Sequence, residues 1–207
     1  TVVLCADDEG TRHLATRLGD EVSTLTYGTT PSADVVMTDL VAGPLATFTV
    51  SYLGTSARCE LGVPGRLNAV NATGVIATLL ASGYSLEEAA RAASGFRGAD
   101  RRFQFHGEIG GVRFYDDHAH HPTEVAAALE TARAVVGDGS VITMFQPHLY
   151  SRTQYMASEL ANAFSEGSDH TIFLDIFGSR EDPIEGVTTY LILQKMADGA
   201  SYAFEPD

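Results

Sequence analysis

The sequence predicts an α/β protein, built mainly on parallel strands and divided into two domains. Short, continuous apolar runs such as TVVLCA (1–6) and SVITMFQP (140–147) have the composition of strands buried on both faces. In the second half such runs alternate with helical stretches of 10–15 residues, the order expected of a parallel sheet with helices on both faces. Between the halves, RGADRR (97–102) carries no periodicity and reads as a linker. A boundary near residue 99 follows, with 1–98 and 99–207 as the two domains.

In the first half, TVVLCA is followed by Asp7 and Asp8, which suit the N-cap of a helix over EGTRHLATRLG, with Gly19 as its C-cap. STLTYG (23–28) and ADVVMTDL (33–40) read as short strands. ATFTVSYLG (46–54) and ARCELGVPG (57–65) alternate in the manner of a hairpin around a Gly-Thr-Ser turn. NAVNATGVIATLLASG (68–83) predicts a helix with Val70, Val75, Leu79 and Leu80 near its apolar face. SLEEAARAASGF (85–96) predicts a second, with Ser85 and Glu88 spaced as a capping box.

In the second half, RFQFHGEIGGVRFYDD (102–117) suits a hairpin feeding a strand, and PTEVAAALETARAVVG (122–137) a helix with Pro122 at its start and Glu124 in its first turn. A buried strand over 140–147, an amphipathic helix over 152–167, a strand over 169–178, a helix over 188–199 and a last strand over 200–207 complete the series. Ligands of open α/β sheets sit beyond the carboxyl ends of the strands. Three polar segments, DDHAHHP, QPHLYSRT and DIFGSRED, follow three successive predicted strands and are expected on one rim.

Composition narrows the partners. Thirteen Lys and Arg against 27 Asp and Glu give a formal charge of −14, which repels nucleic acid and anionic membranes. The apolar runs are too short to span a bilayer, and no signal segment opens the chain, so no membrane insertion is expected. Cys5 and Cys59 lack metal or redox spacing and read as buried free thiols, which with the other signs points to the cytoplasm. Both ends of the chain fall within strand-like sequence, which predicts a piece of a longer protein.

The densest chemistry is DDHAHHPTE (116–124), which holds three of the seven histidines. His118, His120, His121 and Glu124 are of the right types for zinc or manganese. Their spacing is not that of HExxH, and adjacent residues of an extended segment point opposite ways, so no metal site is predicted. A structural role for each histidine and a shared pocket with His148 and Arg152 are the remaining readings. GxSxG, GxGxxG and GxxxxGK[ST] are all absent from the sequence.

Taken in order, GRLNAVNA (65–72), FRGADRRF (96–103), YDDHAHHPTEV (115–125), MFQPHLYSRT (144–153) and LDIFGSREDPIEGV (174–187) resemble the Mur ligase family along essentially the whole chain. The likeness is strongest to the member that adds the first amino acid. It implies that 1–98 is the later part of a central ATPase domain and 99–207 most of a Rossmann-like C-terminal domain. It further implies an amide ligase of bacterial peptidoglycan synthesis, in which a carboxylate attacks the γ-phosphate of ATP and an amine displaces phosphate from the acyl-phosphate. The implied substrates are UDP-N-acetylmuramate, L-alanine and ATP, with Mg2+; neither ATP nor metal is expected to remain bound to this piece alone. By the same resemblance Asn68, Asn71, Arg102 and Asp117 contact ATP, while His118, His120, His121, His148 and Arg152 line the amino-acid side. The phosphate loop and the metal ligands fall outside the piece, so no catalytic residue is assigned and the isolated chain is expected to be inactive. Leu67, His118 and Leu149 depart from the histidine, tyrosine and arginine common in the family, which leaves amino-acid selectivity open. Rival readings are a family member that reattaches recovered peptide, a non-catalytic nucleotide-binding module and a metal-dependent hydrolase. Oligomeric state is not legible.

Overall fold

The computed structural model describes residues 1–19, 21–196 and 201–204, the last four by their backbone. The chain divides into two compact units, Thr1–Ala99 and Asp100–Asp207.

The first unit carries strand β1 (Val2–Cys5), helix α1 (Glu9–Ala15), strands β2 (Thr24–Gly28), β3 (Val35–Ala42), β4 (Ala46–Tyr52) and β5 (Thr55–Glu60), then helices α2 (Arg66–Ala81) and α3 (Leu86–Ser94). The strands lie in the order β1-β2-β3-β4-β5. The first three run parallel and the last two antiparallel. The predicted hairpin therefore forms, but its turn is Leu53–Gly54, both at positive φ, rather than Gly-Thr-Ser. Val35, Phe48, Val50 and Leu61 are sealed beneath α2 and α3.

Three details of this unit differ from expectation. Asp8 caps α1 as expected, accepting from Thr11 N at 2.7 Å, yet the helix ends at Thr16 and not at Gly19. The inward face of α2 is Ala69, Thr73, Ile76 and Ala77, with Val75 exposed. Small residues let this helix sit close to the sheet, and the apolar character all round it hides which side faces in. The Ser85–Glu88 capping box forms as predicted.

The second unit opens with a hairpin of β6 (Gln104–Ile109) and β7 (Val112–Asp116), which stands as its own two-stranded sheet. Gly110 and Gly111, at φ 60° and 83°, make the paired left-handed turn that fits tight hairpins. Then come α4 (Pro122–Val136), β8 (Ile142–Phe145), α5 (Tyr150–Gly167), β9 (His170–Leu174), the short α6 (Tyr190–Leu193) and β10 (Ser201–Phe204). β10, β9 and β8 form a parallel sheet in that order. Phe145, Phe164 and Phe173 meet at ring separations of 4.9, 6.1 and 5.1 Å, fixing α5 on the sheet. The α/β class and the parallel sheet are as the sequence predicts.

β8 is not buried on both faces: Ile142 and Met144 are 66% and 67% exposed while Phe145 is buried. It is also the edge of its sheet among the described residues, and Ile142 and Met144 point to the opposite face from Phe145, which is the covered one. A groove of about 540 Å³ runs between the hairpin, α4 and this edge, lined in part by Phe103, Tyr115, Leu129 and Met144. The predicted helix over 188–199 is realised at Tyr190–Leu193; its expected end at 197–199, and the parts of the last strand at 200 and 205–207, lie outside the described residues.

Candidate functional site

The DDHAHHPTE segment is shaped by its own carboxylates. Asp117 accepts from Phe103 N and from Ala119 N, each at 2.8 Å, and clasps the start of the hairpin to the loop that leaves it. Burial pushes its carboxyl above the ordinary value, against those two bonds and the charge of Arg102. His118 N donates to Arg101 O at 2.8 Å, closing the same clasp. Glu124 accepts from His120 N at 3.1 Å and His121 N at 3.2 Å, while His121 Nδ1 accepts from Thr123 N at 3.3 Å. His121 is thus the N-cap of α4, with Pro122 at the first helical position.

The segments after β8 and β9 run on side by side. His148 and Phe177 form a parallel bridge, Leu149 N donates to Phe177 O at 3.0 Å, and Phe177 N donates to Pro147 O at 2.8 Å. Leu149 takes φ 75° at the N-cap of α5 and its side chain is buried. The position where the resemblance leads one to expect an arginine is therefore turned inward in this protein.

These segments meet in a column of rings. His118 lies edge-on to His120 at 4.5 Å, His120 stacks on His148 at 4.9 Å, and His148 stacks on Phe177 at 5.8 Å. The three polar segments do come together, although β7, which precedes the first, belongs to a different sheet from β8 and β9. Of the histidines expected here, His118, His120 and His148 converge; His121 is engaged at the helix cap instead.

Burial and neighbouring charge disfavour protonation of His120 and His148. Burial, then the neighbouring His118, His148 and Arg152, bring the pKa of His120 down to about 4. Burial, then Arg152, His118 and Arg180, lower that of His148 as well. Nδ1 of His120 and Nδ1 of His148 are both buried without a hydrogen-bond partner among the described residues. Arg152 and Arg180 stand in no ion pair among the described residues. Stacked rings with unmet nitrogens beside two free guanidinium groups suit a small anion that also carries hydrogen-bonding groups. Among the described residues no three His, Cys, Asp or Glu side chains are grouped to hold a metal ion. The donor set here does not fit Mg2+, which takes oxygen ligands.

The remaining expected residues make local contacts. Arg102 is exposed, 4.0 Å from Glu124. Asn68 and Asn71 sit on the first turns of α2; Asn68 donates its amide to Pro64 O at 2.7 Å, a helix-start contact, and Asn71 is exposed. Leu67 is 42% exposed beside them. Sequence reasoning passed over Phe177, Arg180 and Glu181, although DIFGSRED was recognised as a rim segment and Arg180 is its only cation. It read Glu124 as a dipole partner, not as the acceptor that shapes the loop.

This is an α/β domain with a parallel sheet, and its polar column lies beyond the carboxyl ends of the strands, where such folds hold their ligands. The family model for the Mur ligase, glutamate ligase domain matches residues 101–207, and the chain belongs to that family. Among curated proteins it is 50% identical over 207 residues to the UDP-N-acetylmuramate–L-alanine ligase of Clavibacter sepedonicus, covering 100% of this chain and 43% of that protein. The crystal structure of the UDP-N-acetylmuramate–alanine ligase from Thermotoga maritima superposes with a TM-score of 0.76 at 26% identity, covering 99% of this chain and 43% of that one. A murein peptide ligase from Psychrobacter arcticus 273-4 shares the fold, with a TM-score of 0.62 at 23% identity and coverage of 99% and 43%. The chain thus spans less than half the length of these relatives.

Proposed function

We propose that this chain is part of an ATP-dependent ligase of the bacterial cytoplasm that joins L-alanine to UDP-N-acetylmuramate in peptidoglycan synthesis, with Mg2+ in the full-length enzyme. The observation that carries the reading is 50% identity, along the entire chain, to a protein of that name. The ring column supports it: the imidazoles of His120 and His148, held back from protonation, and two guanidinium groups that stand in no ion pair among the described residues form a receptor for a small amino acid, charged where its carboxylate would lie. In this reading His118, His120 and His148 shape the amino-acid side, and Arg152 holds the carboxylate. Arg102, Asn68 and Asn71 serve the nucleotide. Asp117 acts through the clasp it makes at the hairpin, and His121 through the N-cap of α4. The residues that grip phosphate and Mg2+ would belong to the length that the relatives possess and this chain does not span.

Transfer through an acyl-phosphate makes a specific demand. The substrate carboxylate oxygen attacks the γ-phosphorus, ADP leaves, and the amine then expels phosphate that carries that oxygen away. With 18O in the lactyl carboxylate of UDP-N-acetylmuramate, the full-length ligase is expected to place one label in inorganic phosphate per amide formed. Label in AMP, or none in phosphate, contradicts the reading.

A further inference from the structure

We infer that Arg180 supplies a second cation for the carboxylate of the incoming amino acid, held beside Arg152 by the bonds between Glu181 and Ser151. The inference rests on the ligase reading above. Its basis is the way the turn after β9 is fastened to the first turn of α5. Glu181 accepts from Ser151 N at 2.9 Å and from Ser151 Oγ at 2.5 Å. A carboxylate at the start of an 18-residue helix is favoured by the helix dipole as well as by these bonds. Burial opposes them only weakly, and the Glu181 carboxyl is held below its ordinary value, first by the Ser151 hydroxyl and then by the Ser151 amide.

The turn itself has little freedom. Glu181 N donates to Gly178 O at 2.9 Å, and Ser179 takes φ 56°. A Cβ on Gly178 would lie 2.8 Å from the ring of Tyr150 and 2.9 Å from Glu181 O, so glycine is required for the turn to close on the helix. Arg180 and Arg152 are each the chain neighbour of one member of the Glu181–Ser151 pair. Fastening that pair draws together the segments that carry the two arginines, and both guanidinium charges act on the His148 ring. Arg180 is exposed and Arg152 half-buried, so both can be reached from solvent. Glu181 spends both its oxygens on Ser151. Leu149 is buried and brings no charge. One exposed arginine binds a carboxylate weakly, whereas two guanidinium groups can take its two oxygens.

The test uses the full-length ligase with L-alanine and, as a nucleophile without a carboxylate, L-alaninamide. Arg180→Ala is expected to raise the KM for L-alanine roughly tenfold, the loss of one charge-assisted contact. KM values for ATP and UDP-N-acetylmuramate, and the rate with L-alaninamide, are expected to stay as in the parent, and Arg180→Lys to recover part of the loss. An unchanged KM for L-alanine overturns the inference. So does an equal loss with L-alanine and L-alaninamide, which would mark a structural role, or a rise confined to UDP-N-acetylmuramate, which would assign Arg180 to the other carboxylate. Failure of the unaltered enzyme to ligate L-alanine at all would instead overturn the ligase reading, and this inference with it.

Discussion

An imidazole enclosed by two others and a guanidinium takes up a proton only at a cost. His120 is in that position, with a pKa near 4 against an ordinary 6.5. Between those values the unfolded chain binds the proton and the folded chain does not. The stability gained from keeping His120 neutral is therefore complete above pH 6.5 and lost as pH falls toward 4. An NMR titration of the His120 ring is expected to give a midpoint near 4; a midpoint at the ordinary value would mean that the column opens in solution. Arg152→Ala in the full-length ligase should raise the KM for L-alanine by about tenfold with kcat less affected, as expected of a lost ground-state contact. An unaltered KM removes Arg152 from the site. At this scale the sequence showed which residue types were gathered but not what each one touches. His120 and His121 are neighbours with the same side chain, yet one joins the rings and the other caps a helix, because successive side chains of an extended segment diverge.

Elements were most legible where a local rule has one physical solution. Ser-x-x-Glu at 85–88 announced a capping box, and the box is there. His-x-x-Glu at 121–124 performs the same exchange with an unusual cap residue, whereas the sequence reading weighed both residues as metal ligands, put His121 on the amino-acid side and took only Pro122 and Glu124 as signs of a helix start. Its weight can be measured: Glu124→Ala leaves His120 N and His121 N without their acceptor and is expected to destabilise the second unit by about 1 kcal/mol. Urea unfolding reads this directly, and no shift in midpoint would show that water replaces the carboxylate. β8 illustrates what periodicity conceals. A continuous apolar run is compatible with burial on both faces, but whether a neighbour covers each face is decided by distant parts of the chain. The same holds for β7, whose pairing with β6 alone could not be told from its composition.

At the scale of the whole molecule, acid should undo the protein in an ordered way. The carboxyls of Asp7, Glu88, Glu124, Asp169 and Glu181 all lie below their ordinary values. For Asp7, burial works the other way but is outweighed by bonds from the amides and hydroxyls of Thr29 and Thr30. Depressed carboxyls stabilise fully above the ordinary carboxylate range, and that contribution disappears as pH falls through their folded values. Urea midpoints should therefore decline below pH 4.5, the ordinary value for Glu, beyond what His120 alone explains; a flat profile there would contradict the bonding described. The structure has two compact units, Thr1–Ala99 and Asp100–Asp207, and the expected two domains were read from a change in element order. The proposed ligand chemistry rests on long motifs that resemble a family, since no short motif in the chain fixes a reaction.

The most direct measurement is ligation by the full-length protein, followed by mass spectrometry, with UDP-N-acetylmuramate, ATP and a panel comprising L-alanine, other amino acids and a preformed peptide. The account predicts the L-alanine adduct as the dominant product, with one ADP and one phosphate released for each amide, and no ATP-dependent product from the 207-residue chain alone. Preference for the preformed peptide, or no adduct with any of them, would contradict it.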